Sequence, residues 1–231
     1  MDSISSGTSA MDWLLEGGYE KDVITTIYGP AGAGKTLLCL LCSIKTAQTG
    51  KKIIYVDTEG GLSVDRLKQL TPHFEDVLAR MVFFRPTSFK EQKEAFEKLK
   101  DAVDNKVGVI IIDTISMLYR LELGKSDDIY EVNRELGQQI SYLNEIARKK
   151  NIPIMITNQV YADFENKMNV KMVGGDILKY GSKCLIELRN LRQGMRASIL
   201  KKHRSIAEGK TMLFKIVQNG IERIDKNKII L

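Results

Sequence analysis

The sequence predicts an α/β fold, with a mostly parallel twisted sheet flanked by helices and antiparallel strands added near the C-terminus. Three observations predict it. Short β-branched runs alternate with amphipathic helical stretches between residues 23 and 157. Two of the runs, "GVIIID" (108–113) and "IPIMIT" (152–157), are almost wholly apolar, as strands covered on both faces must be. After residue 180 the pattern changes to strand, turn, strand. At 231 residues the chain is expected to form one domain, 1–231, without an N-terminal accessory domain.

The elements follow in chain order. "VITTIY" (23–28) is a strand leading into "GPAGAGKT" (29–36) and an apolar helix, "TLLCLLCSIKTA". "KIIYVD" (52–57) and "MVFFRP" (81–86) are further strands. "SFKEQKEAFEKLKDAV" places Phe89, Phe96, Leu99 and Val103 on one helical side and charges elsewhere. "IYEVNRELGQQISYLNEIARKKN" does the same with Ile140, Leu143, Ile146 and Ala147. The last third predicts two hairpins, turning at Gln193-Gly194 and at Asn219-Gly220.

Composition narrows the function. The hydrophobic share of 43% is that of a globular protein. No apolar run approaches the roughly 18 residues that cross a bilayer. The N-terminus lacks a basic head followed by an apolar run, so a cytoplasmic protein without a membrane partner is expected. The net charge of +6 is compatible with a polyanionic partner. Cys39 and Cys42 have C-x-x-C spacing, but they sit in the apolar helix and are expected to pack there rather than bind metal.

The stretch "GPAGAGKT" matches G-x-x-x-x-G-K-[ST] in the required strand–loop–helix context. The nucleotide-binding segment is therefore Gly29, Pro30, Ala31, Gly32, Ala33, Gly34, Lys35, Thr36 and Leu37. Its amides face phosphates at a helix N-terminus, and Lys35 supplies positive charge. The Thr36 hydroxyl and Asp113, at the tip of "GVIIID", are the expected Mg²⁺ ligands. Hydrolysis also needs a group that deprotonates or orients water. Thr114 follows Asp113, so that carboxylate must come from elsewhere. "YVDTEGG" offers Asp57 and Glu59, and Glu59, further past the strand end, is the expected base. Gln159, after "IPIMIT", would sense the γ-phosphate from the same sheet edge.

Together, "GPAGAGKT", "YVDTEGGLSVDRL", "VIIIDTISMLYR" and "IPIMITNQV" resemble the RecA/RadA recombinase ATPases in order and spacing, over nearly the whole chain. The resemblance implies a RecA-like ATPase core that uses ATP and Mg²⁺. It implies that Glu59 is the catalytic glutamate, that Arg66 lies near the adenine, and that Gln159 links nucleotide state to a DNA-binding loop. That loop would be 161–175, with Tyr161, Lys167 and Lys171 facing DNA. A first DNA loop would follow "LYR", but there Lys125 is outweighed by Glu122, Asp127 and Asp128. Lys202 and Arg204 of "KKHRS" resemble a Lys-x-Arg that reaches a neighbouring subunit's nucleotide, which implies a homo-oligomer.

The abrupt start resembles the family's short archaeal paralogues. The expected function is an ATP- and DNA-binding accessory to the main recombinase RadA and other recombination proteins, on single-stranded or branched DNA, with weak ATP hydrolysis. An active strand-exchange recombinase and a circadian-clock-type signalling ATPase are the alternatives.

Overall fold

The computed structural model describes residues 2–162 and 170–225. The chain begins with β1 (Ser3–Ile4), α1 (Ser9–Leu15), β2 (Tyr19–Glu20), β3 (Ile24–Tyr28), α2 (Lys35–Gln48) and β4 (Lys52–Asp57). It continues through α3 (Val64–Leu70), α4 (Phe74–Ala79), β5 (Met81–Phe84), α5 (Phe89–Ala102), β6 (Val107–Asp113), α6 (Ser116–Leu123) and α7 (Ile129–Lys150). It ends with β7 (Ile154–Asn158), β8 (Val160–Ala162), β9 (Val170–Met172), α8 (Gly175–Gly181), β10 (Cys184–Asn190), β11 (Met195–Lys202), β12 (Thr211–Val217) and β13 (Gly220–Ile224).

Nine strands form the central sheet in the order β13-β12-β11-β10-β3-β7-β6-β4-β5. The six from β10 to β5 run parallel, and β11, β12 and β13 add antiparallel. This sheet matches the predicted class. Alternation along the strands divides the interior between two faces. Ile53, Tyr55, Val109 and Ile111 enter one core with α1 and α2, while Ile54, Val56, Ile110 and Ile112 enter the other with α5 and α7. Each such side chain contributes about 1.5–3 kcal/mol on leaving water, so the strands that carry the site are held from both sides. Phe89, Phe96, Leu99 and Val103 are at most 3% exposed, which fixes α5 in its predicted orientation.

Two details differ from the sequence reading. The reversal of strand direction comes one strand later than expected, because β10 pairs in parallel with β3. Helix α8, which the sequence reading did not assign, lies just past the stretch read as a DNA loop and returns the chain to the starting end of the sheet. Within 161–175, β8 and β9 pair antiparallel, so the described residues of that stretch form a hairpin stem that leads to the first residue of α8.

Candidate nucleotide and nucleic-acid site

Strands β3, β4, β6 and β7 end together, with Asp57 opposite Asp113 and Tyr28 opposite Asn158. Ligands of open α/β sheets sit beyond this edge. The loop from Gly29 to Gly34 joins β3 to α2 there. Gly34 has φ 104°, a conformation that penalises a side chain. A Cβ on Gly29 would lie 2.5 Å from the Leu188 carbonyl oxygen, so only glycine lets the loop pass β10. Thr8, Ser63, Ser88 and Asp128 cap α1, α3, α5 and α7 with their side chains. Helix α2 starts at Gly34 with no side-chain cap, which leaves first-turn amides for an anion. Phosphate oxygens would complement these uncapped amides.

Ala33 and Leu37 turn their side chains into the core, so they could offer a ligand only backbone. The Lys35 ammonium donates to the carbonyls of Gly29 and Pro30, both at 2.9 Å. Burial lowers its pKa, while the Asp113 and Glu59 carboxylates raise it. Gly61 lies against Thr36: a Cβ built on it would be 3.9 Å from Oγ1. Asp113 is buried, and its carboxylate accepts from Tyr55 Oη at 2.8 Å and from the Thr157 hydroxyl. A carboxylate has about four acceptor positions, so Asp113 is oriented by these hydroxyls and keeps lone pairs for a ligand. Among the described residues no cluster of three or more His, Cys, Asp or Glu could hold a metal. Mg²⁺ suits such a sparse set, since it keeps water and phosphate oxygens around one or two protein ligands.

The structure separates the two carboxylates of "YVDTEGG". Asp57 is buried and accepts from the amides of Glu59, Gly61 and Leu62, shaping the turn. Glu59 projects from that turn and accepts from Gln159 Nε2 at 2.6 Å. Burial, then the Asp113 charge, push the Glu59 pKa above the ordinary glutamate value, while Lys35 and the Gln159 hydrogen bond pull it down. Lys35, Glu59, Asp113 and Gln159 thus share one rim. Arg66 donates to the Gln218 and Val217 carbonyls at 2.8 and 2.9 Å, which fixes it beside the β12–β13 turn.

Sequence reading missed the residues that support this rim. Asn190 Nδ2 and Arg196 Nε reach the carbonyls of Ala31 and Gly32, at 3.2 and 3.1 Å. Thr58 and Thr114 cross-link the β4 and β6 tips, with Thr58 Oγ1 donating to the Thr114 carbonyl at 2.6 Å. Asn158 Nδ2 donates to the Val173 carbonyl at 2.8 Å. Polar residues ending apolar strands were the available signal for Thr114, Thr157 and Asn158. Arg196 lay within a predicted hairpin and gave none.

The nucleic-acid residues divide. Tyr161 and Lys171 are cross-strand partners in the β8–β9 stem and both are exposed. Lys167 lies outside the described residues. A cavity of about 640 Å³ opens beside the stem, lined by Tyr119, Arg120, Leu123, Tyr161 and Ile177 among others. In the α6–α7 linker, Lys125, Asp127 and Asp128 are exposed, so the acidic excess faces solvent. Cys39, Cys42 and Cys184 are all buried, and burial pushes the Cys42 and Cys184 thiols up to about 12.

Lys202 and Arg204 are not at the rim. They follow β11 down to the opposite end of the sheet, where Lys202 pairs in register with Leu185 at the start of β10. Arg204 Nε lies 2.9 Å from Glu20 Oε2, and its Nη2 lies 3.0 Å from Asp22 Oδ1. Lys202 Nζ donates to the Lys179 and Ser182 carbonyls, both at 2.8 Å. Neither can reach a phosphate on its own chain's loop, because the length of the sheet lies between.

Comparison with known proteins agrees with this architecture. The Rad51 family model matches residues 1–224. The DNA repair and recombination protein RadB of Methanococcus maripaludis is 44% identical over 221 residues, covering 94% of this chain and 99% of the relative. The RadB of Thermococcus kodakarensis is 38% identical over 227 residues, covering 96% and 100%. A solved structure, the crystal structure of the RadB recombinase, superposes with a TM-score of 0.81 at 38% identity, covering 96% of this chain and 100% of that one. The chain belongs to the Rad51 family, in the line of its short RadB members.

Proposed function

We propose that this chain is an ATP- and DNA-binding protein of DNA repair and homologous recombination, an accessory to the main recombinase RadA with weak Mg²⁺-dependent ATP hydrolysis. The shared rim of Lys35, Glu59, Asp113 and Gln159 supports the nucleotide part of this reading. In it, the loop amides and Lys35 hold the phosphates. Mg²⁺ bound through Thr36 and Asp113 would neutralise charge on the phosphate oxygens. Glu59 orients or deprotonates water, and Gln159 holds the Glu59 carboxylate in place and reports its position to β8.

The accessory role rests on one observation. Where an active recombinase needs a cationic first loop, this chain exposes Asp127 and Asp128 against Lys125. Carboxylates there repel phosphates and weaken the DNA grip. Remaining affinity comes from Tyr161, Lys167 and Lys171, through stacking and phosphate contact. No helix among the described residues is long and apolar enough to cross a membrane.

The test is a salt titration of single-stranded oligonucleotide binding, with and without ATP and Mg²⁺. A log–log slope shallower by about 0.7 for each lysine removed is expected for Lys167→Gln and Lys171→Gln. Strand exchange by the chain alone should be undetectable, and RadA-driven exchange should accelerate in its presence. Efficient exchange without RadA would replace the accessory reading with the recombinase one.

A further inference from the structure

The parallel ladder of β3 and β10 ends at Tyr28 opposite Glu187, yet β10 runs on to Asn190. Beyond that point the β10–β11 hairpin lies beside the phosphate loop. Leu188 closes on Gly29, Asn190 Nδ2 donates to the Ala31 carbonyl at 3.2 Å, and Arg196 Nε donates to the Gly32 carbonyl at 3.1 Å. Asn190 and Arg196 are the final cross-strand partners of the β10–β11 ladder. Arg196 Nη1 also donates to the Gly194 carbonyl at 2.8 Å, so the guanidinium ties the loop to the turn of the hairpin. Strand β11 is paired in turn with β12, so both side chains stand on the sheet rather than on a free loop.

These bonds fix more than the position of the loop. Its peptides are trans, so within each unit the C=O and the N–H point in opposite directions. A carbonyl tied to the hairpin therefore turns the next residue's amide away from the hairpin. The carbonyls of Gly29 and Pro30 are occupied by Lys35, and Ala33 N–H closes a turn on the Pro30 carbonyl at 3.3 Å. Gly32 N–H has no acceptor among the described residues. Left alone, the 31–32 peptide could rotate, because Gly32 has φ 71° and a Cβ built on it would meet nothing within 4 Å. The rotated peptide would aim a carbonyl oxygen, instead of an N–H, at an incoming phosphate. We propose that Asn190 and Arg196 are positioning residues that hold the two peptides flanking Gly32 in the anion-binding orientation before a nucleotide arrives. This rests on the nucleotide reading of the loop. It adds that the hairpin removes the conformer in which the loop repels phosphate. A donor set in advance needs no reorganisation on binding, and affinity rises by the cost avoided.

Calorimetry with Mg²⁺ and inorganic tripolyphosphate, together with amide proton–nitrogen spectra of the full chain, tests this. Asn190→Ala and Arg196→Ala should each weaken tripolyphosphate binding about fivefold, the factor for one lost hydrogen bond, and ATP binding by the same factor. The loss should persist at high salt, where a charge acting at a distance is screened. In the free variants, the Gly32 and Ala33 amide signals should move from their positions in the unsubstituted chain. At saturating tripolyphosphate they should return, because the ligand then holds the peptides itself. A merely structural role would leave them displaced in both states. Unchanged tripolyphosphate affinity, a loss in Arg196→Ala that high salt abolishes, or free-state signals that stay in place would overturn the proposal. An unsubstituted chain that binds neither tripolyphosphate nor ATP would sink the nucleotide reading and the positioning role together, whereas the other outcomes sink the positioning role alone.

Discussion

The two ends of the central sheet carry similar side chains and treat them in opposite ways. At the end where β3, β4, β6 and β7 finish, Lys35, Glu59 and Asp113 form no ion pair among the described residues, and the lysine is bonded only to carbonyls. At the other end charges are matched. Arg204 meets Glu20 and Asp22, Lys21 meets Asp2, and Lys52 meets Asp104. Charges that already have partners stabilise or specify the fold. Charges held near one another without an ion-pair partner are a standing cost, and a protein retains them where a ligand completes them.

Substitutions at the two ends can break or sharpen that contrast. The largest effect belongs to Glu59→Gln, which should retain ATP within about twofold yet slow turnover roughly 10²- to 10⁴-fold, the range for loss of a general base. An unaltered single-turnover rate would move the base elsewhere. Lys35→Ala should weaken ATP binding by about a hundredfold in calorimetry, since a charge-assisted contact is lost.

The far end should respond in stability rather than in nucleotide affinity. Arg204→Ala leaves Glu20 buried without its cation and should cost roughly 1–3 kcal/mol in urea unfolding, reduced from the fully buried case because the arginine is partly exposed. Adding Glu20→Gln should recover most of the loss, and failure to recover would mean that the pair is not what holds this end together.

The smallest effect concerns pH. Glu59 acts as a base only when deprotonated, so turnover falls as pH drops through its pKa. That pKa is raised by burial and Asp113, which puts the acid limb above the usual glutamate range. Gln159→Leu removes a hydrogen bond that favours the carboxylate, so the limb should move to still higher pH. A limb that stays in place, or moves down, would separate Gln159 from the base.

Much of this was legible beforehand, for reasons visible in particular residues. The apolar run at 108–113 could only be a strand covered on both faces. The helix at 89–102 announced its buried side by the spacing of Phe89, Phe96 and Leu99. Helix α8 was missed because its seven residues, "GDILKYG", begin and end in glycine and carry too little periodicity to distinguish helix from loop. The choice of Glu59 over Asp57 was made from distance past the strand end, and the hydrogen bonds of Asp57 supply a different reason: its oxygens already hold three amides.

The sequence by itself determined what depends on neighbours a few residues apart: strand and helix periods, the glycines of the phosphate loop, and the excess of acid after Arg120. Tertiary structure alone decided what depends on distant partners. Tyr55 meets Asp113 from 58 positions away and Gln159 meets Glu59 from 100 away, so no local pattern could show which carboxylates are satisfied. The same holds for Lys202, whose place on the carbonyls of α8 follows from the register of β11 against β10. Local geometry is set by steric and hydrogen-bonding rules that act along the chain. The balance of charge at a site is set by packing, which brings together groups the chain keeps far apart.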